Sequence, residues 1–165
     1  MTGRPPTRFV VPTPPTDSPA LARLRRVALG LVAAAMIAAG GWKLWRPADG
    51  PTMLSRAFPA PQAQRAVAFM EIALGLWLLS GKSPRIAPGI AAAGLVATGC
   101  LMASEFRRER PLPCGCFPTR PVTAETVAVR RDLAISIGRN AFLVVLCGLA
   151  AVTAPADSQD ESFDD

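Results

Sequence analysis

Four long apolar runs are separated by short polar stretches and flanked by two polar tails. The runs extend from about Val27 to Trp45, Ala66 to Ser80, Ile86 to Phe106 and Leu133 to Thr153. A bilayer-spanning helix needs about 20 residues. The second run reaches that length if its helix begins near Pro61, where proline suits a first turn, and if Arg65 snorkels. The pattern predicts an all-α fold: a four-helix transmembrane bundle over residues 22–153. Residues 1–21 are proline-rich and residues 154–165 are acidic. Both lack apolar periodicity and read as disordered tails.

Composition agrees. Half the residues are hydrophobic, only 6% are aromatic, and mean hydropathy is +0.30. Abundant alanine and glycine suit helices that pack closely in lipid. Gly89, Ala93 and Ala97, four apart, form a candidate packing face on the third run. Trp42-Lys43-Leu44-Trp45 ends the first run like an interfacial anchor, which favours a retained span over a cleaved signal peptide. The net charge is +6. Arginines flanking apolar spans set topology and meet anionic lipid, so the bilayer is the expected partner and nucleic acid is not. The chain has no histidine and no tyrosine. That excludes Ser-His-Asp catalysis, histidine-ligated haem and the usual zinc sites.

Four antiparallel spans put both termini on one side of the membrane. They place Lys43, Arg46, Glu71, Cys114, Cys116, Arg139 and Asn140 in the opposite half, whichever way the bundle inserts. At about 1.5 Å per residue, Glu71, Arg139 and Asn140 lie one to two turns inside that face. Charges within a membrane are costly and usually pair, so Glu71 is expected to meet Lys43 or Arg139. Such a pair either holds helices together or serves a polar site. Cys100 and Cys147 are separated by roughly 13 Å of helical rise, too far for a disulfide. Both are expected to be small core residues.

Cys114-Gly115-Cys116-Phe117 lies in the polar stretch between the third and fourth runs. Residues two apart form a disulfide only in a bent loop, which Gly115 permits. Arg107, Arg108, Arg110 and Arg120 surround the pair. Positive charge favours thiolate, the nucleophilic form. Three readings stay open: thiol–disulfide exchange, Cu(I) binding by a thin two-thiolate ligand set, and an inert structural pair. Gly75 to Gly81-Lys82-Ser83 resembles a P-loop but has the wrong spacing and ends an apolar helix, so nucleotide binding is not expected.

The Cys-Gly-Cys-Phe loop between two spans resembles the MauE branch of the DoxX-like redox-associated membrane proteins. So do Gly40-Gly41-Trp42-Lys43-Leu44 at the end of the first run, Glu71-Ile72-Ala73-Leu74-Gly75 in the second and Arg139-Asn140 in the fourth. Pro118 stands where that pattern usually has glycine, which alters the turn but not the thiol pair. The resemblance implies a multi-pass inner-membrane protein that helps mature a disulfide-rich dehydrogenase subunit in methylamine utilisation. It also implies a thioredoxin-like extracytoplasmic partner. Other DoxX-like relatives are linked to quinone reduction, which makes a quinone a candidate cofactor.

On these grounds Cys114 and Cys116 are the candidate catalytic residues, with Lys43, Glu71, Arg139 and Asn140 as a supporting polar site. No metal is expected. The chain is then a membrane thiol–disulfide or quinone-linked oxidoreductase, or else a non-enzymatic membrane subunit or scaffold with a structural cysteine pair. Disulfides persist outside the cytoplasm, which puts the cysteine loop there and the N-terminus inside. Arg23, Arg25 and Arg26 agree, whereas the arginines around the cysteines argue the other way.

Overall fold

The structure, a computed structural model, describes residues 18–45, 50–115 and 126–154. It contains five helices: α1 (Pro19–Trp45), the short α2 (Met53–Ala57), α3 (Pro61–Ser80), α4 (Ile86–Phe106) and α5 (Thr126–Val152). Among the described residues there is no strand. Four helices, α1, α3, α4 and α5, are long and apolar enough to cross a membrane. The all-α four-span bundle read from the sequence is therefore the observed fold.

Local chemistry sets the helix ends. Ser18 accepts the Leu21 N–H at 3.3 Å and Pro19 fills the first turn, so α1 starts eight residues before its apolar run and takes in the end of the 1–21 tail. Pro61 opens α3, as expected, and gives it 20 residues. Gly81 closes α3 in the left-handed conformation, φ 69°. The short α2 was not legible in the hydropathy pattern. It is fixed by a capping box in which Thr52 and Ser55 satisfy each other's backbone N–H groups. The proline-rich tail up to Asp17 and the acidic tail from Pro155 lie outside the described residues, as do Arg46 and Cys116.

The most extensive pairings are α1 with α3 and α4 with α5, and α1 joins the two pairs by packing on α5. Val32, Ala33, Met36, Leu78, Ala91, Leu143 and Cys147 form the core between them. A second cluster of Met53, Met102, Cys114, Val129 and Leu133 lies towards the cysteine loop. Large apolar side chains such as Phe69, Met70, Leu76, Ile135, Phe142 and Val145 point outward. An apolar surface of this extent is unfavourable in water and suits contact with lipid chains.

Two expectations need correction. The small-residue face at Gly89, Ala93 and Ala97 is exposed, and a Cβ added at Gly89 would touch nothing within 4 Å. α4 packs through Ala87, Ala91 and Met102 instead, a stripe rotated by about 200° from Gly89. Cys100 is likewise exposed, whereas Cys147 is buried in the core as expected. An alanine-rich helix has small residues on every face, so their spacing alone does not mark the packed one.

Candidate functional site

The close helix approach is at α1 and α3. A Cβ on Gly40 would lie 2.6 Å from the Ala68 carbonyl oxygen, and one on Gly75 would lie 3.0 Å from that of Ala33. Only glycine leaves room for backbones this close. Gly40 sits one turn before Lys43, and Gly75 one turn after Glu71. The contact brings the Lys43 ammonium onto Glu71 Oε1 as an ion pair. Lys43 is 7% exposed and Glu71 21%. The second oxygen, Glu71 Oε2, is buried and has no hydrogen-bond partner among the described residues. Of the two cations expected for Glu71, Lys43 makes the pair.

Asn140 is buried and donates from Nδ2 to the Leu95 carbonyl at 3.5 Å, a long bond that ties α5 to α4. Arg139 is half-buried on α5. Three of the four residues of the supporting polar site therefore divide: Lys43 and Glu71 form one charged contact, and Asn140 is a helix-to-helix tie.

Cys114 is only 5% exposed, packed among Met53, Met102, Val129 and Leu133. Its loop is held from two sides. On one, the Met53 N–H donates to the Pro113 carbonyl at 2.9 Å, so the N-terminus of α2 clasps the residue before the cysteine. Gly115 follows with φ 76°, in the left-handed region where a side chain is strained. A Cβ there would also lie 3.1 Å from Thr52 Cβ. The bend anticipated at Gly115 is thus present, while Cys116 lies outside the described residues.

On the other side stands Glu105, which sequence reasoning missed. Its carboxylate is 4% exposed, near the loop end of α4. Arg56 Nη1 donates to both oxygens, at 2.9 and 2.7 Å. Arg108 Nε lies 3.0 Å from Oε1. The Leu112 N–H donates to Oε2 at 3.3 Å. Arg130, from α5, donates to the Arg108 carbonyl at 3.2 Å. One buried carboxylate thus joins α2, α4 and the cysteine loop, and two guanidiniums pair with it, which leaves the cluster net positive. The signal was available, because Glu105 is the one acidic residue in the third apolar run.

Among the described residues no group of three or more His, Cys, Asp or Glu side chains is arranged to hold a metal ion. The arrangement can keep one thiol out of water beside an ion-paired clamp, with a second cysteine two residues on.

No curated protein and no solved structure shows significant similarity to the chain. Residues 20–153 match the family described as Methylamine utilisation protein MauE, and the match spans all four membrane helices and the loop carrying Cys114 and Cys116. The chain is a multi-pass membrane protein of the MauE family.

Proposed function

We propose that this chain is a thiol–disulfide exchange protein of the membrane surface, working with an extracytoplasmic thioredoxin-like partner in the maturation of a disulfide-containing enzyme of methylamine utilisation. The observation that carries the proposal is the clamp. Thr52, Met53 and Glu105 hold the loop that carries Cys114 and the bend at Gly115 at the end of the bundle, with Cys114 out of water. Burial of Cys114 divides the labour. A partner cannot reach a 5% exposed residue without opening the loop, so Cys116 is the member that exchanges with it.

In the reducing direction, Cys116 thiolate attacks one sulfur of the partner disulfide and releases the other as thiolate. Cys114 thiolate then attacks Cys116 sulfur, breaking the mixed disulfide and releasing the second partner thiolate. Two electrons pass to the partner, and two protons from water neutralise its thiolates. Oxidation of a partner dithiol is the same sequence reversed. A quinone, as a lipid-soluble two-electron carrier, is the proposed cofactor on the membrane side. Glu71, whose Oε2 has no partner among the described residues, and Lys43 are the polar groups that would hold its head. The proposed topology has both termini in the cytoplasm and the cysteine loop outside the inner membrane.

A second reading is favoured by the same burial: Cys114 as a packed structural residue in a non-enzymatic subunit. Labelling intact cells with a membrane-impermeant maleimide, before and after an impermeant reductant, separates the two. The exchange reading requires a mixed population whose oxidised fraction follows growth conditions. A pair fixed in one redox state under every condition would sink it.

A further inference from the structure

At the end of the bundle remote from the cysteines, α1, α3, α4 and the loop between α3 and α4 line an open cavity of about 210 Å³. Its mouth carries Arg25, Arg26 and Lys82, and its walls are apolar, including Leu29, Leu78 and Pro88. These cations differ from those at the other end. Lys43 is paired with Glu71, and Arg56 and Arg108 with Glu105. By contrast, among the described residues Arg25 donates to the Thr153 carbonyl and Arg26 to the Ala22 carbonyl, and neither meets a carboxylate. The described acidic residues, Glu71, Glu105, Glu109 and Asp132, all lie in the cysteine half of the bundle. The cavity mouth therefore concentrates positive charge without a described carboxylate to balance it.

Depth identifies what balances it. Val27 to Trp45 covers about 28 Å at the helical rise, close to the ~30 Å hydrocarbon thickness. Arg25 and Arg26 consequently sit at headgroup level, and the apolar walls lie just below, at the level of the first acyl carbons. We propose that this cavity is a binding site for one anionic phospholipid, whose phosphate meets Arg25, Arg26 and Lys82 and whose proximal chain lies along α1 and α3. Basic pockets between membrane helices recognise lipid headgroups in this way. The acidic C-terminal tail leaves α5 nearby, but Asp157 to Asp165 contains one apolar residue and does not suit the walls. The site is independent of the thiol chemistry and of which leaflet this end faces.

Native mass spectrometry tests the proposal on the full chain, supplied with equal phosphatidylglycerol and phosphatidylcholine. Phosphatidylglycerol should be retained at least tenfold over phosphatidylcholine. Each Lys or Arg near a headgroup contributes about fivefold, so Arg26→Gln with Lys82→Gln should cut that preference by tenfold or more. Gly30→Leu should also lower it with every charge in place. Gly30 lines the cavity and a Cβ there meets nothing within 4 Å, so the larger side chain fills the cavity without disturbing the fold. Arg130→Gln with Arg131→Gln, at the opposite end, should leave the preference unchanged. A wild-type ratio near one, an equal loss in the opposite-end variant, or no effect of Gly30→Leu would overturn the proposal. So would displacement of the lipid by millimolar inorganic phosphate, which marks a site for a bare anion. A tenfold gain on truncation after Ala154 would identify the tail as the occupant and overturn it equally.

Discussion

Substituting Glu105→Gln keeps the shape of the side chain and removes its charge, so it tests whether this carboxylate holds the cysteine loop. Hydrogen bonds to a charged group are worth about 1.5–3 kcal/mol each when shielded from water. Arg56 and Arg108 are 38% and 56% exposed and rehydrate when released, so most of their share is screened. The Leu112 N–H, at 3.3 Å, still finds a neutral acceptor. A loss of about 1–2 kcal/mol for the closed loop follows, which is a five- to thirty-fold rise in its open population. When reclosing outruns reaction, the rate at which a small maleimide labels Cys114 follows that population. The assay uses reduced protein carrying Cys100→Ser and Cys116→Ser, leaving Cys114 and the core residue Cys147. Cys114 labelling should accelerate five- to thirty-fold while Cys147 labelling is unchanged. An unchanged Cys114 rate refutes the clamp, and a parallel rise at both cysteines shows that the bundle opened and not the loop. The converse change is harsher. Arg56→Gln with Arg108→Gln strands a buried carboxylate, at about 3–5 kcal/mol, and should accelerate Cys114 labelling further than Glu105→Gln does.

Three other outcomes are expected. Gly75→Val should lower thermal stability in detergent by about 1–3 kcal/mol through overpacking against Ile37 and the Ala33 carbonyl, whereas Gly89→Ala, with open space around it, should be neutral or slightly stabilising. Lys43→Met should destabilise more than the double variant Lys43→Met/Glu71→Met, because the single change leaves a half-buried Glu71 without its described cation partner, and thermal unfolding of the three proteins orders them. Gly115→Ala should cost about 1–2 kcal/mol from its left-handed φ alone and expose Cys114 to maleimide, even though alanine is the smallest possible addition.

Much of the fold was legible because bilayer-spanning segments are set by length and apolarity, which a sequence displays directly. The third span, α4, runs over Ile86–Phe106 as read, and Pro61 opens the second span. α1 and α5 extend beyond their apolar runs, because capping by Ser18 and helix-compatible arginines continue a helix after hydropathy falls. Which face packs was not legible on α4, where alanine and glycine surround the axis. It was partly legible on α1 and α3, where Gly40 and Gly75 sit within the same short motifs as the charged pair. For the site, the Lys43–Glu71 contact followed from depth and the cost of isolated charge. The Glu105 clamp did not, because its partner Arg56 comes from α2, a helix of five residues that periodicity cannot reveal. Arg56 and Glu105 are far apart in sequence, and only the folded chain shows that Arg56 and Arg108 pair with one carboxylate beside the cysteine loop.

The central claim is that Cys116 exchanges with a partner while Cys114 resolves the mixed disulfide from within the fold. Its most direct test is trapping with single cysteine variants and a thioredoxin-like domain lacking its resolving cysteine, read on non-reducing gels with mass spectrometric assignment of the linkage. Cys114→Ser should accumulate a mixed disulfide through Cys116, Cys116→Ser should accumulate little, and the double variant none. Absence of any adduct from Cys114→Ser, with the wild-type pair locked in one redox state, would contradict the account and leave the cysteines a structural role.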